Sequence, residues 1–293
     1  MKLHLVDGTY ELFRAHFGAP SRTAPDGREV GAVHGLMSSM LRLLAEDGVT
    51  HVAAAFDSVI ESFRNRVFSG YKTSEGIDPE LLAQFPLAER AMKALGMTVW
   101  SMYEYEADDA LATAAVRWHH DVEQVVVMTP DKDLCQLYGH DRIVGYDRRK
   151  GRFVDADAVV ERFGVAPSSI PDFLGLVGDT ADGIPGLPGW GAKSAAVVLA
   201  RYPHVEDIPV DVHQWQVKPR AADKLSATLI ERMGDALVYR YLAQLRLDVP
   251  LAENLGDLRW SGVPEDRFVA LCDELGFGGI RNRVPRWSDR GLP

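Results

Sequence analysis

Apolar runs that stop at an acid recur through the first half of this chain, and that alternation limits its fold more than any other feature. Leu3 to Val6 ends at Asp7, Val49 to Phe56 ends at Asp57, and Val122 to Met128 runs into Thr129-Pro130-Asp131-Lys132-Asp133. Segments with apolar residues at helical spacing stand between them, the clearest carrying Val33, Leu36, Met37, Met40, Leu41 and Leu44. Strands alternating with helices predict an α/β fold, a parallel doubly wound sheet with helices on both faces. Sites in such sheets form at the carboxyl ends of the strands, so Asp7, Asp57 and Asp131 should share one rim. Glu106, Asp108 and Asp109 follow the strand Met97 to Met102 and should join them.

Further along, Pro79 opens a helix through about Leu95, and Ile143 to Tyr146 and Arg152 to Val154 read as the last strands. Helical text then takes over at Ala156 to Phe163, Ile170 to Val177, a helix reaching Ala200, and Ala221 to Met233. This predicts a sheet domain over 1–165 and a helical module over 166–293, with DVPLAENL and the helix near Arg267 to Leu275 packing back on the sheet. The polar, Gly/Ser-bearing run from Phe63 to Asp78 is expected to be a mobile surface connection that orders when a ligand binds. The tail from Arg281 reads as a frayed end.

A chain of 293 residues, 46% hydrophobic, can bury a full core. It has no apolar run of transmembrane length, and MKLHLVDG reads as a buried strand rather than a signal peptide, which predicts a cytoplasmic protein. Cys135 and Cys272 are too few and too isolated for a disulfide framework or a zinc site.

A single acid at a helix start is most simply an N-cap or a dipole partner. Nine carboxylates are different. Asp7, Asp57, Glu106, Asp108, Asp109, Asp131, Asp133, Asp179 and Asp182, gathered on one rim, would repel one another by roughly several kcal/mol unless divalent cations sat between them. Hard oxygen donors without His or Cys favour magnesium or manganese over zinc. Two such ions about 3.5 to 4 Å apart can activate a water and stabilise the leaving oxygen of an in-line phosphoryl displacement. The net charge of -10 argues against a nucleic-acid partner, but these nine acids account for nearly all of it and leave Lys and Arg free to form a local patch.

The stretch Gly175 to Leu199 sets a phosphate grip beside that chemistry. Asp179 and Asp182 lack a basic partner nearby in sequence, while Gly186, Gly189 and Gly191 allow a tight turn of bare backbone N–H groups that leads into a helix carrying Lys193. Lys218, Arg220 and Lys224 either extend that grip or form a solvated helix face. A magnesium-dependent phosphatase, taking DKD as its signature, competes with a nuclease here, but it has no need of a duplex-binding turn.

LVDG at Leu5 to Gly8, FD at Phe56-Asp57, YEADD at Tyr105 to Asp109, TPDKDL at Thr129 to Leu134, GDTAD at Gly178 to Asp182 and GLPGWGAKSA at Gly186 to Ala195 resemble the bacterial 5′-3′ exonuclease and flap endonuclease family. The 5′ nuclease domain of DNA polymerase I is a member, and no polymerase text follows here, so the resemblance is to a free-standing relative. It implies a PIN-like α/β domain with a helix-three-turn-helix DNA-binding module; PIN-type ribonucleases are shorter and lack that module. It also implies two or three magnesium or manganese ions. Asp7, Asp57 and Asp108 match ligands of a first metal, with Glu106 acting through water; Asp108, Asp131 and Asp133 match ligands of a second; Asp109, Asp179 and Asp182 match outer or third-metal positions.

The same resemblance implies contacts to DNA. Phe13, with Arg14 beside it, stands where the family stacks an aromatic on a base, although a core Phe on an amphipathic helix explains it equally. Lys72 matches a lysine that touches the scissile phosphate, the plainer reading being a solvated loop lysine; Glu75 replaces a common Arg. Arg64 is counted among the DNA contacts with Gly189, Gly191, Lys193, Lys218 and Arg220, and the hairpin is expected to hold a potassium ion on its carbonyls while Trp190 packs under the turn. The implied function is a structure-specific 5′ nuclease, exonuclease and flap endonuclease, acting as a monomer on DNA with 5′ ends or flaps and on RNA primers paired to DNA. A catalytically weakened DNA-binding scaffold of the same fold is the second reading.

Overall fold

Leu3 and Leu5 point to one side of a central strand and Val6 to the other, and all three are fully buried, which is what a sheet covered on both faces demands. In the computed structural model, which describes residues 1–288, six strands form one sheet in the order β3-β2-β1-β4-β5-β6. They are β1 (Lys2–Asp7), β2 (Val49–Asp57), β3 (Thr98–Met102), β4 (Gln124–Met128), β5 (Ile143–Asp147) and β6 (Arg152–Val154). The first five run parallel, and β6 returns antiparallel to β5. The register sets Val6 beside both Ala54 and Met128, so the carboxyl ends of β1, β2 and β4 share a rim.

One face of the sheet is covered by α1 (Gly8–Gly18), α2 (Gly31–Leu44), α5 (Phe85–Ala94) and α12 (Glu265–Leu275). The other face carries α6 (Ala107–Trp118) and continues without a break into the apolar core of the helical part: α7 (Ala156–Phe163), α8 (Ile170–Val177), α9 (Ala192–Leu199), α10 (Ala222–Glu231) and α11 (Met233–Ala243). The chain returns to the sheet as expected. Trp260 N–H donates to the Thr50 carbonyl at 2.9 Å, and its indole N–H donates to the Leu95 carbonyl at 2.9 Å.

Three expectations need correction. The run after Phe63 is not a loose loop: it begins with a short helix, α3 (Phe63–Val67), closed by a capping box between Ser62 and Asn65, and it buries Phe63, Arg64 and Tyr71. The single helix from Pro79 breaks into Pro79–Leu82 (α4) and α5, with Gln84 turned inward so that its Oε1 accepts the Val33 N–H at 3.2 Å. The tail is paired through 288, where Ser288 N–H donates to the Val263 carbonyl at 2.9 Å; residues 289–293 lie outside the described residues. No helix among the described residues is long and apolar enough to cross a membrane.

Candidate active site

Asp7 closes β1 and caps α1. Its Oδ1 accepts the Tyr10 N–H at 2.8 Å and its Oδ2 accepts the Thr129 hydroxyl at 2.9 Å, so one short side chain ties the ends of β1 and β4 together. The turn at Gly8 is tight because a Cβ there would lie 2.4 Å from the Phe56 ring. Asp57 closes β2, and its Oδ1 accepts the Ala107 N–H at 2.8 Å, at the start of the helix that carries Asp108. Capping and convergence are therefore compatible, since each carboxylate oxygen retains a further lone pair.

The electrostatics identify the group as one site. Burial, then the charge of Asp57 and Asp131, pushes the Asp7 carboxyl up to about 7 against its hydrogen bonds. Burial pushes Asp108 well up, with Asp131, Asp7 and Asp57 adding to it. Asp133 rises through burial, Asp131, Asp182 and Asp179. Asp57 and Asp182 rise by burial too, held back by Lys72. These acids repel one another and lack enough cations of their own.

Lys72 stands among them. Its Nζ lies 2.8 Å from Glu106 Oε2 and 3.1 Å from Asp182 Oδ1, and its backbone N–H donates to the Asp182 carbonyl at 3.0 Å. Burial opposes its charge, yet Glu106 and Asp182 hold the ammonium well above the usual lysine range. Glu106 also accepts the Ser62 hydroxyl at 2.7 Å and the Tyr71 hydroxyl at 3.2 Å. Burial raises its carboxyl, but Lys72 and Arg64 more than offset that and hold it at about 2.

Two residues do not fit the roles expected of them. Arg64 is 1% exposed and cannot touch DNA; it donates to both oxygens of Asp109 at 2.7 and 2.8 Å and to the Leu242 and Gln244 carbonyls at 2.8 and 2.9 Å. Asp109 is equally enclosed and also accepts the Glu106 and Arg246 N–H groups, so its carboxylate is taken up by protein donors and faces away from the rim's other acids toward Arg64. This buried pair fastens α3 and α6 to the end of α11.

Asp133, Asp179 and Asp182 offer carboxylate oxygens within 4.8 Å of one another. The Asp133 Oδ1 is buried and has no hydrogen-bond partner, which an anion tolerates only opposite a cation. Lys132 pairs with Asp179, and the Asp133 N–H donates to Asp131 Oδ1 at 2.9 Å. The donors are hard oxygens throughout, a set that fits a hard divalent cation. On the helical part, Gly189, Gly191 and Lys193 line one groove of about 620 Å³ with Lys218 and Arg220. Gly189 turns at φ 84 with no atom near its missing side chain, leaving the backbone open to a ligand. Trp190 is buried beneath, its indole N–H on the Leu225 carbonyl at 3.2 Å.

The 5′-3′ exonuclease N-terminal resolvase-like domain matches residues 2–164, and the 5′-3′ exonuclease C-terminal SAM fold matches residues 165–266. The chain belongs to the 5′-3′ exonuclease family. It is 34% identical over 287 residues to DNA polymerase I of Bacillus caldotenax, a match that covers 97% of this chain and 32% of that protein. The chain thus spans about a third of the length of the curated relatives it matches. Its fold is similar to a T5 5′-exonuclease with bound zinc (TM-score 0.68, 19% identity, 83% of this chain and 89% of that one). It is also similar to a bacteriophage T5 flap endonuclease in complex with DNA and metal ions (TM-score 0.63, 20% identity, 83% and 89%).

Phe13 is half-buried with its ring edge-on to Phe85 at 6.0 Å, so packing accounts for much of it. Arg14 donates to Glu11 and to the Ser39 hydroxyl, and is only partly free. Ser62, Tyr71, Thr129 and Lys132 hold the acids in place, and sequence reasoning does not single them out as site residues. The last two lie inside TPDKDL, so the motif itself carries the signal that could find them.

Proposed function

We propose that this chain is a divalent-metal-dependent, structure-specific 5′ nuclease that hydrolyses DNA phosphodiesters at 5′ ends and flaps. The observation that carries the reading is the single rim on which burial, and then the charge of neighbouring acids, raises the carboxyls of Asp7, Asp57, Asp108, Asp133 and Asp182, with Asp131 among those neighbours and the Asp133 Oδ1 lacking a hydrogen-bond partner. Asp7, Asp57 and Asp108 would hold one ion on the β1–β2 side, and Asp131, Asp133, Asp179 and Asp182 would hold magnesium or manganese on the β4 side. Bound there, such ions make water a nucleophile near neutral pH and stabilise the departing oxygen.

The chain's own groups do the rest. Thr129 and the Tyr10 N–H fix the Asp7 carboxylate, so the donor set is oriented before an ion arrives. Lys72, kept charged by Glu106, stands where it can bind a phosphate oxygen and neutralise charge that develops on it. The groove of Gly189, Gly191, Lys193, Lys218 and Arg220 grips duplex backbone without reading sequence, with potassium on the hairpin carbonyls as part of the same reading. The sheet part to about residue 165 carries the chemistry, and the remainder holds the DNA as a monomer, including RNA primers paired to DNA.

The test is cleavage of a 5′-labelled flap duplex with and without magnesium, comparing wild type with Asp131→Asn. Cutting should require the metal and fall by about 10²-fold or more in the variant. Metal-free cutting, or wild-type rates from Asp131→Asn, would overturn the assignment.

A further inference from the structure

The turn between β5 and β6 reads Asp147-Arg148-Arg149-Lys150-Gly151-Arg152-Phe153, four basic residues within five positions in a protein of net charge -10. Its placement is as unusual as its charge. Because β5 runs parallel to β4, the turn leaves the sheet on the rim that carries Asp7 and Asp131, two strands from β1 and therefore about 10 Å from it across the sheet.

The turn is also rigidly built. Asp147, buried, accepts the Arg149 and Lys150 N–H groups at 3.0 and 3.1 Å on one oxygen, and its carbonyl accepts the Gly151 N–H at 2.8 Å. Arg148 reaches back under the sheet rim: its Nη1 lies 2.9 Å from Glu11 Oε2 and 3.0 Å from Ser39 Oγ, and its Nη2 donates to the Ser39 carbonyl at 3.1 Å. Glu11 is itself buried on α1, the helix that Asp7 caps, so the turn is bolted to an element of the metal rim. What the anchoring leaves outward is Arg149, Lys150, Arg152 and Phe153, all exposed. Among the described residues, Arg149 and Arg152 have no carboxylate within ion-pair distance, and Lys150 has only Asp147 at 3.6 Å.

We propose that the β5–β6 turn is a second grip for duplex DNA, in which Arg149, Lys150 and Arg152 bind backbone phosphates next to the metal rim. Charge complementarity selects the occupant: a preformed row of exposed cations, two of them without a carboxylate partner among the described residues, beside a site that binds phosphodiesters matches a polyanion of regular spacing. The groove between α9 and the start of α10 would grip the same DNA from the helical part, whose core is continuous with the sheet face opposite α1. This inference rests on the nuclease reading for its substrate but predicts binding that can be read without turnover.

The experiment is fluorescence anisotropy of a labelled flap duplex in EDTA, across a salt series, for wild type and the triple variant R149A/K150A/R152A. All three side chains are exposed, and thermal melting checks that the variant is folded. Affinity should fall roughly tenfold near physiological salt, and the slope of log Kd against log salt should drop by about 3, at about 0.9 for each phosphate no longer neutralised. The charge-preserving R149K/R152K should keep the wild-type slope. In magnesium, the effect of the triple substitution should fall on KM rather than kcat. An unchanged slope and affinity would overturn the grip, as would a loss confined to phosphatidylglycerol vesicles, which would assign the turn to a lipid surface. Wild-type protein that bound duplex through this turn yet never cut it would leave the grip standing and sink the nuclease reading instead.

Discussion

Arg64 and Asp109 face each other through two parallel hydrogen bonds of 2.7 and 2.8 Å, with almost no solvent on either side chain. The pair sits beside the acidic rim and shares Glu106 with it, at 3.2 Å from Arg64 Nη1. Removing one partner leaves a buried, uncompensated charge, so Arg64→Ala should cost about 3 to 5 kcal/mol in a denaturant melt. A melt within about 0.5 kcal/mol of wild type would show that the pair is dispensable to the fold.

The acids of the rim predict an inverted pH dependence for the metal-free protein. Asp7 binds its proton more readily folded than unfolded, so its contribution is present below the ordinary value of 3.8 and is lost as pH rises toward about 7. Asp57, Asp108 and Asp133 act in the same direction. Each group contributes a slope of up to about 1.4 kcal/mol per pH unit inside its window. In EDTA the melting temperature should fall as pH rises through neutrality, and magnesium should restore it more strongly at pH 8 than at pH 6. Asp108→Asn should raise the EDTA melting temperature while abolishing cleavage; a lowered one would contradict the repulsion.

Lys72 bridges two of these acids, Glu106 and Asp182, from within the rim. Replacing it with Met removes the charge at nearly constant length, which should lower the single-turnover rate by about 10²-fold while changing the affinity for flap DNA far less. The same substitution should raise the Glu106 carboxyl from about 2, because burial would no longer be opposed by Lys72. Retention of the full rate would remove Lys72 from the chemistry.

The groove on the helical part makes a separate prediction. Lys193→Ala, Lys218→Ala and Arg220→Ala should each reduce the salt slope of duplex binding by about 0.9, uniformly across DNA sequences. Gly189→Ala would force a side chain onto a backbone at φ 84 and should weaken the same binding by about 1 to 2 kcal/mol, although nothing crowds the added methyl. Sequence-dependent losses would mean that the groove reads bases.

The sequence by itself determined the sheet and the rim. Apolar runs buried almost throughout, each closed by an acid, leave a chain few choices other than parallel strands with their carboxyl ends together, and the glycines of Gly186 to Gly191 mark a turn that other residues resist. Only the tertiary structure decided which acids are free. Asp108 and Asp109 are neighbours of identical chemistry, yet one faces the rim and the other faces Arg64, because a helix turns about 100° per residue and the partner comes from 45 residues away. The same distance in sequence hid the anchoring of Phe63 to Lys72 on the helical part and the bond from Arg148 to Glu11, 137 residues apart. Composition and periodicity report on which side chains want burial, whereas pairing among charges depends on which surfaces meet, and that is settled when the two parts of the core close on each other.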